Sequence, residues 1–407
     1  MDRIRILAIP SSDYLGHPFP QRYNHILEML HESPFEVHVI RFRLYDETRL
    51  KTRTVIRLLH SEIRSRSIAS YYFLNLPIHN LQILSLSIGY KYDLLFASNI
   101  SPWIATPLII KMLRLSRRPT IVFDLQDYFP MSAAGYITNE IAKTMVENLV
   151  FVATRLLVRC ADIVTAPSRT LLRWAAKVGA KRTYFLPNGV PNYFVPLYHN
   201  EAAELRRELG LEKSIILGFV GSLEFWLNFK PIIDALKKLV DEGLDVRLVL
   251  IGGKLHTPFE KTIFAYAEEQ NVDSYIVRIG FVPHNEVPKY IAMFDFGLIP
   301  FDPSNPLNKF VEEPLKLWEY LSQEVIPLAS PLKAMMLYHR IFVFFYHSHD
   351  DIVRIVRSYI SSKEVFRMKA RMGRDFVLRE RTWPRIVSRF KRFLLQMLVK
   401  RWLGSRR

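Results

Sequence analysis

Twelve short apolar runs, each bounded by turn residues, alternate along the chain with longer stretches of helical period. That alternation predicts βα units wound around parallel sheets, an α/β class. In the first half the runs are Ile4 to Pro10, Phe35 to Phe42, Tyr92 to Ser98, Thr120 to Asp127, Asp162 to Ser168 and Thr183 to Pro187. In the second half they are Ile215 to Ser222, Arg247 to Gly253, Ile276 to Phe281, Phe296 to Phe301, Val325 to Ser330 and Ile341 to His347. Six strands are therefore expected twice. Between the sets lies the stretch from Pro187 to Asn200, whose prolines and glycine suit an ordered linker. Two doubly wound domains bury ligands where the carboxyl ends of their strands open, so a cleft between domains is expected.

Composition excludes several classes. At 49% hydrophobic and 23% charged, the 407 residues cannot be mainly disordered. A single cysteine, Cys160, rules out a disulfide framework or a cysteine-built metal site within one chain, and it reads as a small buried hydrophobe. Met1-Asp2-Arg3 leads directly into a strand pattern without the charged and apolar regions of a secretory signal, so a cytosolic chain is expected. The longest charge-free run, Ile68 to Tyr90, carries Asn75, Pro77, His79 and Asn80, a poor match to the ~20 apolar residues of a membrane span. Lys and Arg exceed Asp and Glu by 56 − 39 = 17, which favours partners bearing phosphate.

The chemistry concentrates between Arg278 and Ser330. Pro314 suits the first turn of a helix on which Lys316 and Glu319 share a face. Free N–H groups at such a terminus, together with Lys316, suit a diphosphate, while Glu319 can accept hydrogen bonds from ribose hydroxyls. The alternative is a plain ion pair three residues apart.

The order of short motifs adds to this. Gly221-Ser222-Leu223 with Trp226 and Asn228, Gly252-Gly253, Gly280 to Pro283, Asp295 to Pro300, and Pro314-Leu315-Lys316 with Glu319-Tyr320 follow one another, preceded by Ala161 to Ser168 and Leu186 to Val190. Over roughly residues 120 to 335 this order resembles the glycosyltransferases of GT-B fold, family 4 above all. The resemblance implies two Rossmann-like doubly wound domains facing a central cleft. Residues 1–195 would form an acceptor-binding domain and 196–380 a nucleotide-sugar-binding domain. A basic helix, 381–407, would cross back to the first domain and touch the membrane.

Carried over residue by residue, Glu319 matches the glutamate that holds the donor ribose and Lys316 a basic residue near the phosphates. Gly221 and Ser222 match the loop whose backbone approaches the diphosphate, and Pro314 and Leu315 open the donor helix. Departures are visible. A glutamate eight residues before the ribose glutamate is here Val311, with Glu312 one position off, and an Arg and Lys pair after the first strand is replaced by Ser222 and Lys230. Near Asp124-Leu125-Gln126-Asp127, relatives often carry a histidine where Gln126 stands.

Asp124 and Asp127 read as metal ligands, as turn or helix-cap residues, or as one carboxylate orienting the loop while Asp127 faces the acceptor. The resemblance favours the last, since GT-B enzymes generally bind no essential metal. Asp127, Asp124 and Gln126 are the catalytic candidates, and His17 or Arg22 in the first loop would reach an acceptor, with His25 packed on a helix. No cofactor is expected, the nucleotide sugar being a co-substrate.

Charge is concentrated locally: Trp383 to Arg407 holds eight basic residues and no acidic one, and Arg41 to Arg66 eight basic and three acidic. On the last helix Arg385, Arg389, Arg392, Gln396 and Lys400 oppose Ile386, Phe390, Phe393, Leu394, Met397 and Leu398. Packing is expected to about Phe393 and anionic lipid contact beyond it. The leading function is transfer of a sugar, with retention implied by the resemblance, to a lipid-linked or surface-glycan acceptor at the inner face of the cell membrane. A sugar-nucleotide epimerase or phosphorylase is the enzymatic alternative. A nucleic-acid-binding protein is the other class, disfavoured because no helix-turn-helix, zinc-finger or RNP pattern is present.

Overall fold

The computed structural model describes residues 3–45, 47–59, 62–65, 68–99, 105–113, 118–135, 137–252 and 258–404, with the backbone alone at 68–70, 73, 258 and 400–404. Arg66, Gly253, Arg406 and Arg407 lie outside them. The chain forms two compact units, Met1–Pro187 with Pro384–Arg407, and Asn188–Trp383.

The first unit is built on a sheet of seven strands, β1 (Ile4–Ile9), β2 (Phe35–Arg41), β3 (Val55–Leu58), β4 (Leu94–Ser98), β5 (Thr120–Asp124), β6 (Ile163–Ala166) and β7 (Thr183–Phe185). Their order is β3-β2-β1-β4-β5-β6-β7, every pair parallel. The second unit has β8 (Ile215–Val220), β9 (Val246–Ile251), β10 (Ile276–Arg278), β11 (Phe296–Ile299), β12 (Ile326–Ala329) and β13 (Phe344–Phe345), in the order β10-β9-β8-β11-β12-β13, again all parallel. Helices connect successive strands except β2 and β3, so most strands are covered on both faces and read as continuous apolar runs. In β4 all five residues are buried. Along β8, Leu217 and Phe219 pack into one core cluster and Ile216 into the other, one on each face of the sheet.

All twelve expected strands are present. The thirteenth, β3, is short, half-exposed and interrupted by Arg57, and so lacks the apolar signature that revealed the others. The stretch after Pro187, read as a linker, instead packs as part of the second unit. Val190 bridges to Thr382, Phe194 is fully buried, and Gln323 Nε2 donates to the carbonyls of Phe194 and Pro196.

The charge-free run from Ile68 forms the helix Ile68–Gly89, whose Asn75 donates to the Ile63 carbonyl and accepts from its N–H. Among the described residues no helix is long and apolar enough to cross a membrane. Cys160 is buried, and burial pushes its thiol up. In the first unit the last helix, which begins at Trp383, stacks Phe393 on Tyr184 at 4.2 Å and sets Phe390 against Phe96. Leu394 and Leu398 are buried as well, so packing runs past the Phe393 limit expected from sequence.

Candidate active site

In the second sheet the order reverses between β8 and β11, the switch point at which open α/β sheets offer a crevice for ligands. Gly221 ends β8 with φ +132°, a backbone that a side chain strains, and its N–H bonds the Ile251 carbonyl at 2.9 Å. A Cβ there would lie 2.9 Å from Lys316 Nζ, so the absent side chain makes room for the ammonium beside exposed backbone. Ser222 is exposed. The loop beyond it is tied to the loop after β11: Asn228 N–H bonds the Pro300 carbonyl and Asp302 N–H the Trp226 carbonyl, both at 2.8 Å.

The helix Leu315–Ser322 follows β11, with Pro314 as its N-cap rather than a residue of its first turn. A pair of glycines makes room for two rings over the sheet, one of them carried by this helix. Gly218 and Gly297 are cross-strand partners in β8 and β11, and a Cβ on either would enter the ring of Phe294 or Tyr320 respectively. Tyr320 lies flat against that gap and bridges the strands, accepting from Val220 N–H and donating to the Leu298 carbonyl, both at 3.2 Å.

Lys316 and Glu319 project from this helix without forming the ion pair that was the alternative reading. Lys316 Nζ lies 5.0 Å from the centre of the Phe219 ring and, among the described residues, has no hydrogen bond or ion pair. Burial lowers its pKa and the nearby Glu319 charge opposes that. Glu319 is buried, and its Oε1 lies 3.3 Å from His284 Nε2, while His284 Nδ1 meets Tyr193 Oη at 2.6 Å. The consistent proton arrangement has Tyr193 donating to Nδ1 and Nε2–H donating to Glu319. That fixes one carboxylate oxygen and leaves the other as an acceptor for a hydroxyl.

The neighbouring carboxylates play another part. Glu313 accepts both arms of Arg381 at 2.9 and 3.1 Å, and Asn188 donates to its carbonyl at 2.7 Å. Glu312, Glu313 and His339 are the one described group close enough to share a cation, yet a guanidinium already covers both Glu313 oxygens. Val311, where the family pattern has a glutamate, is half-buried. Lys230 opens the helix Lys230–Asp241 with its ammonium 5.1 Å from the Tyr266 ring centre.

In the first unit the sheet reverses between β1 and β4, and the candidates from that half gather at the carboxyl ends of β1, β4 and β5. Arg22 is not free to meet an acceptor. It is 6% exposed and its guanidinium donates to Asp124 at 3.1 and 3.3 Å and to the carbonyls of Leu186 and Pro187 at 2.5 and 2.9 Å. Asp124, fully buried, also accepts from Thr165 Oγ1 at 2.6 Å, so it orients the loop and offers no oxygen to substrate. His17 binds within its own loop, its Nδ1 2.8 Å from the Phe19 carbonyl, while Asp13 shapes that loop by accepting from the N–H groups of Leu15 and Gly16.

Asn99 holds the other loop. Its Oδ1 accepts from Gln126 N–H at 2.9 Å and its Nδ2 donates to Asp127 at 3.3 Å. Burial pushes the Asp127 carboxyl up to about 6, against hydrogen bonds from Ser132 and Asn99. Gln126 Nε2 is buried and has no partner among the described residues.

Residues 201–372 match the family model described as glycosyl transferases group 1. The matched residues make up most of the second unit. Over 177 residues, 42% of this chain, the sequence is 27% identical to 2-deoxystreptamine glucosyltransferase of Streptomyces kanamyceticus, and the match spans 43% of that relative's length. The Anabaena protein HepE, solved in complex with UDP, superposes with a TM-score of 0.70 at 16% identity, covering 96% of this chain and all of the other. Sucrose-phosphate synthase from Thermosynechococcus elongatus gives 0.75 at 14%, covering 97% and 100%. These likenesses show the GT-B fold. In the second unit sequence reasoning missed His284 and Tyr193, because Tyr193 sits in the supposed linker and its partner is 91 positions away. In the first unit it missed Asn99, which lies in no motif, and the role of Thr165 within the Ala161 to Ser168 motif, since both meet their partners only across strands.

Proposed function

We propose that the chain transfers a sugar from a nucleoside diphosphate sugar to a glycan or lipid-linked acceptor, with retention and without a metal ion. The observation that carries this is the grouping, at the β8–β11 crevice, of Gly221 backbone, an unpaired Lys316 ammonium and Glu319 with one oxygen available. The diphosphate is expected to lie against the Gly221 loop and Lys316, and the ribose hydroxyls to donate to Glu319. UDP in the related HepE structure supports a uridine nucleotide.

In the transfer, the bond from the anomeric carbon to the phosphate oxygen breaks and the acceptor oxygen bonds to that carbon. The acceptor proton passes to the departing phosphate, which is why no dedicated protein base is required. Lys316 offsets the charge developing on the leaving group. The first unit is proposed to bind the acceptor, with Asp127 as the carboxylate nearest to it in role. The basic segments, including 383–407, are proposed to hold the protein peripherally on an anionic membrane surface.

A thermal-shift screen of UDP-, GDP-, ADP- and dTDP-sugars tests the reading. Ligand at about 100 times its dissociation constant adds roughly 2.7 kcal/mol to apparent stability, so one nucleotide class should raise Tm by several degrees. With acceptor extract present, release of that nucleoside diphosphate should persist in EDTA. No shift with any nucleotide sugar would remove the donor reading, and activity lost to EDTA and restored by Mg²⁺ or Mn²⁺ would remove metal independence.

A further inference from the structure

The helix Glu140–Cys160 in the first unit turns a face to solvent that has the wrong chemistry for water. Ile141, Met145, Leu149, Val152 and Leu156, spaced 4, 4, 3 and 4 residues apart, are between 41% and 75% exposed. Thr144 and Asn148 are the neutral residues between them, and the helix buries Thr154, Leu157, Val158 and Cys160 on its opposite side. A surface helix ordinarily shows its polar side outward, and a continuous apolar stripe of about 22 Å, from fifteen residues at 1.5 Å each, marks a contact surface.

Charge decides what that contact is. No acidic residue lies on the stripe, which runs at its carboxyl end into the exposed Arg155 and Arg159. Lys111 Nζ reaches the Arg159 carbonyl at 3.4 Å, and directly after it Met112 and Leu113 are exposed, so a second helix end continues the apolar surface. Lys181 lies close enough to Lys111 for the two charges to repel. The acid beside this group, Asp162, is taken by Arg118 at 2.8 Å and lies 3.9 Å from Lys181. Apolar side chains next to a cluster of cations match a bilayer interface carrying anionic headgroups, the chains entering the acyl boundary and the cations meeting phosphates.

We infer that the exposed face of helix Glu140–Cys160, with Met112, Leu113 and the cations at its carboxyl end, is the surface by which this protein lies on an anionic membrane. The inference rests on the peripheral-membrane part of the function proposed above and moves the main contact from the C-terminal segment to the first unit's sheet-flanking helix.

Full-length protein, a Met145→Asp/Leu149→Asp variant and a truncation lacking residues 400–407 would be sedimented with vesicles of phosphatidylglycerol and phosphatidylcholine, and of phosphatidylcholine alone, at low and high salt. Wild type should bind the anionic vesicles, less at high salt. The double variant should bind roughly tenfold or more weakly, because two carboxylates then face the acyl boundary, with an unchanged melting profile since both positions are exposed. The truncation should keep most of its binding. A double variant that binds like wild type overturns the inference. Loss in the truncation alone transfers the contact to the C-terminal segment, overturning the inference while the peripheral reading stands. Absence of binding by every form sinks both. Light scattering that shows a wild-type dimer dissociated by the double variant, with no lipid binding, assigns the stripe to a second copy and also overturns it.

Discussion

Glu319 shows how much a single side chain depends on partners remote in sequence. Its position three residues after Lys316 suggested an ion pair or a ribose contact, and the fold resolves this by giving its Oε1 to His284, which Tyr193 holds from the other side. Glu319→Ala should weaken binding of the nucleoside diphosphate picked out by the screen by about 1.5 to 3 kcal/mol, as measured by calorimetry, with little change in melting. Unchanged affinity would make it a core residue. Asp127 carries a second prediction. Its carboxyl titrates at about 6, above its unfolded value, so between roughly pH 4 and 6 the folded chain keeps a proton that the unfolded chain has released. Stability from this group is therefore greatest below pH 4 and falls as pH rises to 6. Asp127→Asn should remove that slope and, in urea melts at pH 7, be more stable than wild type by on the order of 1 to 3 kcal/mol. Parallel curves for the two proteins would place the carboxyl in water. Arg22, expected to reach an acceptor, instead pairs with Asp124, 102 residues away, whose place as the carboxylate that orients its loop no local pattern could tie to that partner.

At the scale of elements, strands were legible because coverage on both faces makes them apolar throughout, and helix starts because proline and capping residues mark them. What no periodicity reports is the height of a helix over its sheet. Gly297 sets this for Leu315–Ser322 by letting the Tyr320 ring lie on the strand, while its cross-strand partner Gly218 makes room for Phe294. Gly297→Ala should cost roughly 1 to 3 kcal/mol of stability through overpacking, and should also weaken donor binding because Tyr320 is the next residue after Glu319. Denaturant melts and calorimetry on the same variant would test both effects; full stability with full affinity would mean that the ring moves aside at no cost.

Across the whole molecule the charge surplus of +17 is uneven, and its meaning depends on what the apolar residues nearby are doing. The last helix illustrates this. Its basic and apolar sides were plain in the sequence, yet the apolar side is occupied through Leu398 by Tyr184, Phe96 and their neighbours, and Lys391 pairs with Glu32. Helix Glu140–Cys160 is the converse, with a comparable apolar pattern and no neighbour covering one face among the described residues. By itself the sequence determined the α/β class, twelve of the strands and the doubled architecture, since burial periodicity and turn chemistry are local properties of a chain. Only the tertiary structure decided that Arg22 and Asp124 are spent on each other, that His284 and Tyr193 hold Glu319, and which amphipathic face stays bare. Those outcomes depend on which distant side chains come within about 3 Å, and spacing along a chain does not encode such distances.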